Sequence, residues 1–267
     1  MNEAELLFTT LLNCDRLSLY LDKKSVLDKD ISSRVACALK RRILGEPIYY
    51  ILGKIEFMGL EFKVDKFVFI PRQETELLAE TAIKYFRHLK CKAAGNILDL
   101  CTGSGCIAVA LAKLLPEARI NAVDISQEAL KIAEENARLN NVTVNFLRGD
   151  LFNNETLKQH SYDLIVTNPP YIRASEIKDL EREVRHEPRI ALDGGRDGLT
   201  FYRNIIKSVP VYLKEGGFLI TEIGSGHEGP IRKMLQKSKS FEIIETIRDY
   251  NNIERIIVAK KTLKRYG

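Results

Sequence analysis

The sequence predicts an α/β protein: a mostly parallel sheet covered by helices on both faces, with an antiparallel hairpin at one edge and a small helical part in front. Three observations predict it. From Asn96 onward short apolar runs alternate with helical patterns, and a glycine-rich turn joins the first run to the first helix. The last two apolar runs, Phe241 to Ile247 and Arg255 to Ala259, are separated by the turn Asp249-Tyr250-Asn251-Asn252, which reads as a hairpin.

Residues 3 to 44 carry apolar positions at helical spacing, among them Leu6, Leu7, Leu11 and Leu12, then Val35, Ala36, Leu39 and Ile43. Gly45-Glu46-Pro47 ends this part. From Ile48 to Ile70 the pattern reads as short β segments, Tyr49 to Leu52 and Phe62 to Phe69, interrupted by Gly53 and Gly59. Helical spacing resumes from Thr75 to Leu89. Strands are expected at Ile97 to Leu100, Arg119 to Val123, Thr143 to Leu147 and Leu164 to Val166, with helices from Gly105 to Leu115 and from Gln127 to Asn140. A polar, glycine-rich segment, Arg173 to Leu199, is long enough without periodicity to read as functional or mobile. Helix Phe201 to Leu213, strand Gly217 to Glu222 and helix Glu228 to Gln236 precede the hairpin. The division expected is 1–47 helical, 48–71 a β-hairpin linker and 72–267 the α/β part.

With 267 residues, 45% of them hydrophobic and 29% charged, the chain has the composition of a folded globular protein. Five cysteines, Cys14, Cys37, Cys91, Cys101 and Cys106, are odd in number and form no CxxC pair, which argues for a reducing compartment. The histidines His88, His160, His186 and His227 are dispersed, and no metal site is legible. No run approaches the ~18 apolar residues of a membrane span, and the acidic amino terminus is unlike a signal peptide, so a cytoplasmic protein is expected. The net charge of +5 is modest. Its clusters, Lys40-Arg41-Arg42 and Lys260, Lys261, Lys264 and Arg265, read as solvated faces that touch nucleic acid only indirectly, on a larger assembly.

Leu98 to Ala108 is a strand followed by GxGxxA and a helix. Gly103 permits a tight turn and Gly105 is expected to let backbone approach a ligand. Asp124 ends the next strand, 19 residues beyond Gly105, where a carboxylate can accept both hydroxyls of a ribose. A nicotinamide dinucleotide and S-adenosyl-L-methionine both satisfy that geometry.

Asn168-Pro169-Pro170-Tyr171 follows the apolar run Tyr162 to Thr167. Two prolines cannot continue a sheet, so the strand stops here and leaves carbonyls pointing outward. The Asn168 side-chain oxygen and the Pro169 carbonyl are two acceptors suited to the two hydrogens of an NH2 group, and Tyr171 can cover the planar group that carries it. An open α/β sheet binds ligands beyond the carboxyl ends of its strands, which brings Asn168 to the crevice of Gly103 and Asp124. A polarised amino group beside an adenosyl ligand favours methyl transfer over hydride transfer.

TGSG at Thr102 to Gly105, VDIS at Val123 to Ser126 and NPPYI at Asn168 to Ile172 resemble the class I S-adenosyl-L-methionine-dependent methyltransferases that modify amino groups. NPPY is shared by adenine N(6) methyltransferases and glutamine methyltransferases. GEPIYYILG at Gly45 to Gly53, EFMGLEF at Glu56 to Phe62, IPRQETE at Ile70 to Glu76, EPRIALDGGRDGL at Glu187 to Leu199 and EIG at Glu222 to Gly224 are together similar to the PrmC/HemK family. That resemblance implies a Rossmann-like seven-stranded domain and methylation of the glutamine amide in the GGQ motif of peptide chain release factors. It implies that the helical part helps dock the release factor and that Cys101, Thr102, Gly103, Ser104 and Gly105 line the methionine part of the cofactor. By the same resemblance Asp124 holds its ribose and Leu151 lies near its adenine, while Asn168 to Tyr171 hold the amide beside the transferred methyl. Gln73, Cys101, Leu151 and His227 stand where relatives often have proline, glycine, tryptophan and glutamine. No strong base is legible, so the proton would leave late, to water or a carbonyl. The rival readings are an adenine methyltransferase of DNA or RNA, which lacks support from any basic target-reading region, and a binding module for a nucleoside-like ligand, which leaves NPPY without a purpose.

Overall fold

The computed structural model describes residues 2–21, 27–89, 95–159 and 161–262. The expected basic residues Lys264 and Arg265, Cys91 and His160 lie outside them. Among the described residues up to Leu44 there are three helices, α1 (Glu3–Leu12), α2 (Arg16–Leu21) and α3 (Lys29–Ile43). Asn2 and Glu5 build a reciprocal capping box that starts α1, and Asn13 in the left-handed region ends it. Lys40, Arg41 and Arg42 occupy the last turn of α3, where positive charge faces the negative end of the helix dipole.

Tyr49 to Leu52, expected as a strand, is instead the short helix α4 (Ile48–Leu52). Four consecutive apolar residues fit either state. The flanks decide it: Pro47 presets the entry, and Gly53 at φ 74° closes the exit with its N–H donated to the Tyr49 carbonyl. Ile48 then packs with Leu7 and Ala38 of the preceding helices. The hairpin proper is β1 (Lys54–Phe57) and β2 (Leu60–Lys63), antiparallel across Met58-Gly59. The strand expected to run on to Phe69 stops at Lys63 because Asp65 accepts the Phe67 N–H with its carboxylate and the Val68 N–H with its carbonyl, folding the chain into a turn.

The main sheet contains β3 (Asn96–Leu100), β4 (Arg119–Asp124), β5 (Asn145–Arg148), β6 (Tyr162–Thr167), β7 (Leu213–Glu222), β8 (Phe241–Arg248) and β9 (Glu254–Lys261), in the order β5-β4-β3-β6-β7-β9-β8. The five strands from β5 to β7 pair in parallel; β9 runs antiparallel between β7 and β8. The seven strands and the antiparallel edge therefore stand as expected. Strand β7 starts four residues earlier than the sequence suggests, and a register irregularity at Tyr162/Leu164 absorbs the extra length.

Helices α5 (Gln73–His88), α6 (Cys106–Leu114) and α7 (Gln127–Leu139) cover one face, and α8 (Thr200–Tyr212) and α9 (Glu228–Ser238) cover the other. Alternation along each strand assigns the residues. Ile97, Leu164, Val166 and Ile220 join the first core, while Leu98, Leu100, Ile165 and Leu219 join the second. The segment Arg173 to Leu199 contains no α-helix or long strand, only three short 3-10 turns. Among the described residues no helix is long and apolar enough to cross a membrane.

Gly105 has φ 78°, and a Cβ there would lie 2.9 Å from the Ala133 Cβ on α7. Gly53 has a similar φ but open space around it. Gly105→Ala is therefore expected to destabilise the fold by ~2–4 kcal/mol, from left-handed strain plus overpacking, and Gly53→Ala by only ~1–2 kcal/mol. Urea unfolding midpoints at constant m check the difference; equal losses would mean that the α6–α7 contact relaxes freely.

Candidate active site

The turn after β3 is left-handed at three places: Cys101 (φ 62°), Gly103 (φ 55°) and Gly105 (φ 78°). A non-glycine residue at the first of these carries backbone strain. The turn is held from below. Thr102 donates its N–H to the Val123 carbonyl and its hydroxyl to Asp99 Oδ2 at 2.6 Å, and the Gly105 N–H closes on the Thr102 carbonyl at 2.8 Å. Asp99 is fully buried, and burial pushes its carboxyl up to about 7.

Asp124 faces the same turn from the end of β4. Its Oδ2 accepts the Gly103 N–H at 2.8 Å and its Oδ1 accepts the Ser126 N–H at 2.9 Å. Each oxygen accepts one well-formed hydrogen bond, which leaves the carboxylate lone-pair room for hydroxyls. Burial raises the Asp124 pKa above the usual carboxylate value, and the hydrogen bonds from Ser126, Gly103 and Ile125 oppose that shift. The helix cap next to it is Ser126, whose hydroxyl oxygen accepts the Ala129 N–H.

Strand β6 delivers the second half. Leu100 and Thr167 are register partners, and the Thr167 hydroxyl donates to the Leu100 carbonyl at 2.9 Å, so the glycine turn and Asn168 leave the sheet side by side. Pro169 and Pro170 are buried; Asn168 and Tyr171 are half-buried. Asn168 donates its side-chain Nδ2 to the Thr75 hydroxyl at 3.2 Å, and among the described residues its Oδ1 takes no hydrogen bond. The Tyr171 hydroxyl is 3.4 Å from Glu222 Oε1, and burial first, then the Glu222 charge, pushes the phenol pKa up. Ile172 pairs with the segment beyond, donating to the Leu192 carbonyl and accepting from the Gly194 N–H. A Cβ on Gly194 would lie 2.7 Å from the Tyr171 Cα, so that approach requires glycine.

These parts enclose one cavity of about 250 Å³. Cys101, Thr102, Gly103, Ser104, Asp124, Leu151, Asn168, Pro169, Pro170 and Tyr171 all line it. Gly105 does not. The space in front of its α-carbon belongs to Ala133, so its small size serves helix packing rather than the close ligand approach expected. At Gly103, by contrast, nothing lies within 4 Å of a hypothetical Cβ, which leaves the backbone open to a ligand.

Several site residues were not anticipated. Phe67, Ile125 and Ile190 are exposed apolar groups on the cavity wall, a rim suited to a planar apolar ring. Glu187, almost fully buried, accepts the Ile70 N–H at 3.0 Å and pairs with Arg72, fastening the two loops that flank the cavity. Asn136, fully buried on α7, bonds the Ser104 carbonyl and both the N–H and carbonyl of Lys63, joining the glycine turn to the hairpin. Asn136 stands in a run that reads as ordinary helix and gives no signal. Thr75, Glu187 and Glu222 stand in the quoted IPRQETE, EPRIALDGGRDGL and EIG stretches, which supplied position without role.

The cavity combines an apolar wall, an open backbone turn and a carboxylate with lone-pair room for hydroxyls, and these fit an adenosyl group with a ribose. Residues 79–252 match the Methyltransferase small domain family, and residues 1–53 match the PrmC N-terminal domain. A release factor glutamine methyltransferase of Thermodesulfovibrio yellowstonii is 38% identical, over 98% of this chain and 93% of its own. One of Geobacter sulfurreducens is 41% identical, over 96% of this chain and 87% of its own. A solved 16S rRNA methyltransferase of T. thermophilus, in complex with AdoMet and guanosine, shares the fold at a TM-score of 0.53 and 16% identity, over 79% of this chain and 50% of that one. By its matches along nearly its whole length, the chain belongs to the release factor glutamine methyltransferase family.

Proposed function

We propose that this enzyme transfers the methyl group of S-adenosyl-L-methionine to the side-chain amide nitrogen of the glutamine in the GGQ motif of peptide chain release factors. The observation that carries the reading is one cavity shared by Asp124, the open Gly103 turn and the Asn168 to Tyr171 segment. The names of the relatives, at 38% and 41% identity, supply the substrate class. Bound S-adenosyl-L-methionine supplies an electrophilic methyl on a sulfonium. Cys101, Thr102, Gly103 and Ser104 would border its methionine part, Asp124 its ribose, and Leu151 with Ile125 and Phe67 its adenine.

On the substrate side, Asn168 Oδ1 and the Pro169 carbonyl receive the two amide hydrogens, and Tyr171 covers the amide plane. An amide nitrogen is a poor nucleophile because its lone pair is delocalised. Two fixed acceptors return density to nitrogen and set its direction of attack, so positioning and oriented dipoles supply the rate. The helical part would dock the release factor, with the hairpin joining it to the transferring part, 72–267. Helix α4 packs into the helical cluster and the PrmC N-terminal match runs to residue 53, so the docking part extends past residue 47 to the start of the hairpin. A translation substrate puts the reaction in the cytoplasm.

Incubating the purified chain with labelled S-adenosyl-L-methionine and release factor should place label in the factor, and substituting the GGQ glutamine should abolish it. Label in DNA instead would establish the adenine reading. Asn168→Ala should lower kcat by about 10²–10³, the loss of one preorganised transition-state hydrogen bond, and a variant that turned over normally would remove the proposed grip. Asp124→Ala should raise the cofactor Kd by ~10²-fold or more in calorimetry, since two charge-assisted hydrogen bonds are lost; an unchanged Kd would rule out a ribose role.

A further inference from the structure

Three polar side chains from separate elements form a chain of hydrogen bonds beside the cavity. Asn168 Nδ2 donates to Thr75 Oγ1 at 3.2 Å, and Thr75 Oγ1 donates to Glu222 Oε2 at 2.9 Å. Thr75 lies in the first turn of α5 and shows at the cavity wall, whereas Glu222, at the end of β7, is 2% exposed and does not reach it. The Glu222 backbone is fixed as well, since its carbonyl accepts the Tyr202 hydroxyl at 2.9 Å.

A carboxamide has two orientations that exchange its oxygen and nitrogen, with almost the same shape and opposite chemistry. A hydroxyl carries a single proton. While Thr75 gives that proton to the Glu222 carboxylate, it can offer Asn168 only a lone pair, so the amide must turn its NH2 to Thr75 and its oxygen to the cavity. Were the Thr75 proton released, it could bond Asn168 Oδ1, the amide would turn over, and two donors would face the incoming NH2. We propose that Glu222 and Thr75 are positioning residues that fix the direction of the Asn168 amide and so make it an acceptor for the substrate nitrogen. This rests on the reading of Asn168 as the grip on an NH2 group.

The relay carries a pH dependence. Burial pushes the Glu222 carboxyl up to about 7; the Thr75 hydrogen bond, the Arg255 charge on β9 and the Tyr171 hydroxyl pull it down, and Glu74 on α5 pushes it up. Tyr202 on α8 and Cys106 on α6 are the other titratable groups that feel its charge. The protonated carboxyl can itself donate to Thr75, which frees the Thr75 proton to turn toward Asn168. The competent orientation is therefore the one with Glu222 ionised, gained as pH rises through about 7.

In the full-length enzyme with cofactor and release factor, kcat should rise through about pH 7. Thr75→Val and Glu222→Gln should each lower kcat by about tenfold to a hundredfold, leave the cofactor Kd unchanged and remove that limb of the profile. Thr75→Ser, which keeps the hydroxyl, should recover most of the loss. Variants that lower kcat but retain the wild-type pH limb would reduce both residues to structural supports and overturn the relay. A readout free of substrate is the side-chain NH2 signal of Asn168 in ¹⁵N-labelled, cofactor-bound protein, assigned by its loss in Asn168→Ala. It should titrate near pH 7 in the wild type and stay still in Thr75→Val; equal titration in both overturns the relay. A wild type that leaves release factor unlabelled yet shows this titration would overturn the substrate reading alone.

Discussion

The parallel pairing of β3 with β6 is the constraint on which the site depends. Leu100 and Thr167 are register partners in adjacent strands, so the residues that follow them emerge about 5 Å apart and pointing the same way. The glycine turn leaves one strand and the Asn-Pro-Pro-Tyr segment leaves the other, so adjacent strand ends bring these two parts of the cavity wall together. Slipping this register by one residue would move Thr167 off the Leu100 carbonyl and turn the buried residues of β6 to the opposite core. Both cores specify the register because β6 is buried along its whole length.

Polar groups inside such a dry edge are costly unless they are paired, and here the pairing also sets direction. Asp99 holds Thr102, Asp124 holds the Gly103 and Ser126 amides, and Glu222 holds Thr75. Each carboxylate fixes the backbone or hydroxyl of a group that borders the cavity. Burial raises all three carboxyl pKa values, and the hydrogen bonds that lower them again are the same ones that shape the cavity wall.

The loops over the cavity are tied in two directions. The Arg72–Glu187 pair fastens the segment after the hairpin to the irregular stretch that follows β6. Earlier in that stretch, Glu183 pairs with Arg42 and Arg182 donates to the Ile43 carbonyl, both at the end of α3. The carboxyl end of α3 and the cavity wall thus share one irregular segment.

Local patterns in the sequence determined much of this protein. Alternation of apolar runs and helical spacing gave the layered sheet, the prolines after Thr167 stopped β6, and Gly103 with Asp124 located the cavity, because each of these depends on neighbours within a few residues. The four apolar residues Tyr49 to Leu52 satisfied two local patterns equally, and their state was decided by Pro47, Gly53 and packing on Leu7 and Ala38. Only the tertiary structure showed that Gly105 makes room for Ala133, that Asn136 joins the hairpin to the glycine turn, and that Glu222 reaches Asn168 through Thr75. These contacts link residues 28 to 147 positions apart, and a hydrogen bond between such distant groups leaves no periodicity for the sequence to display.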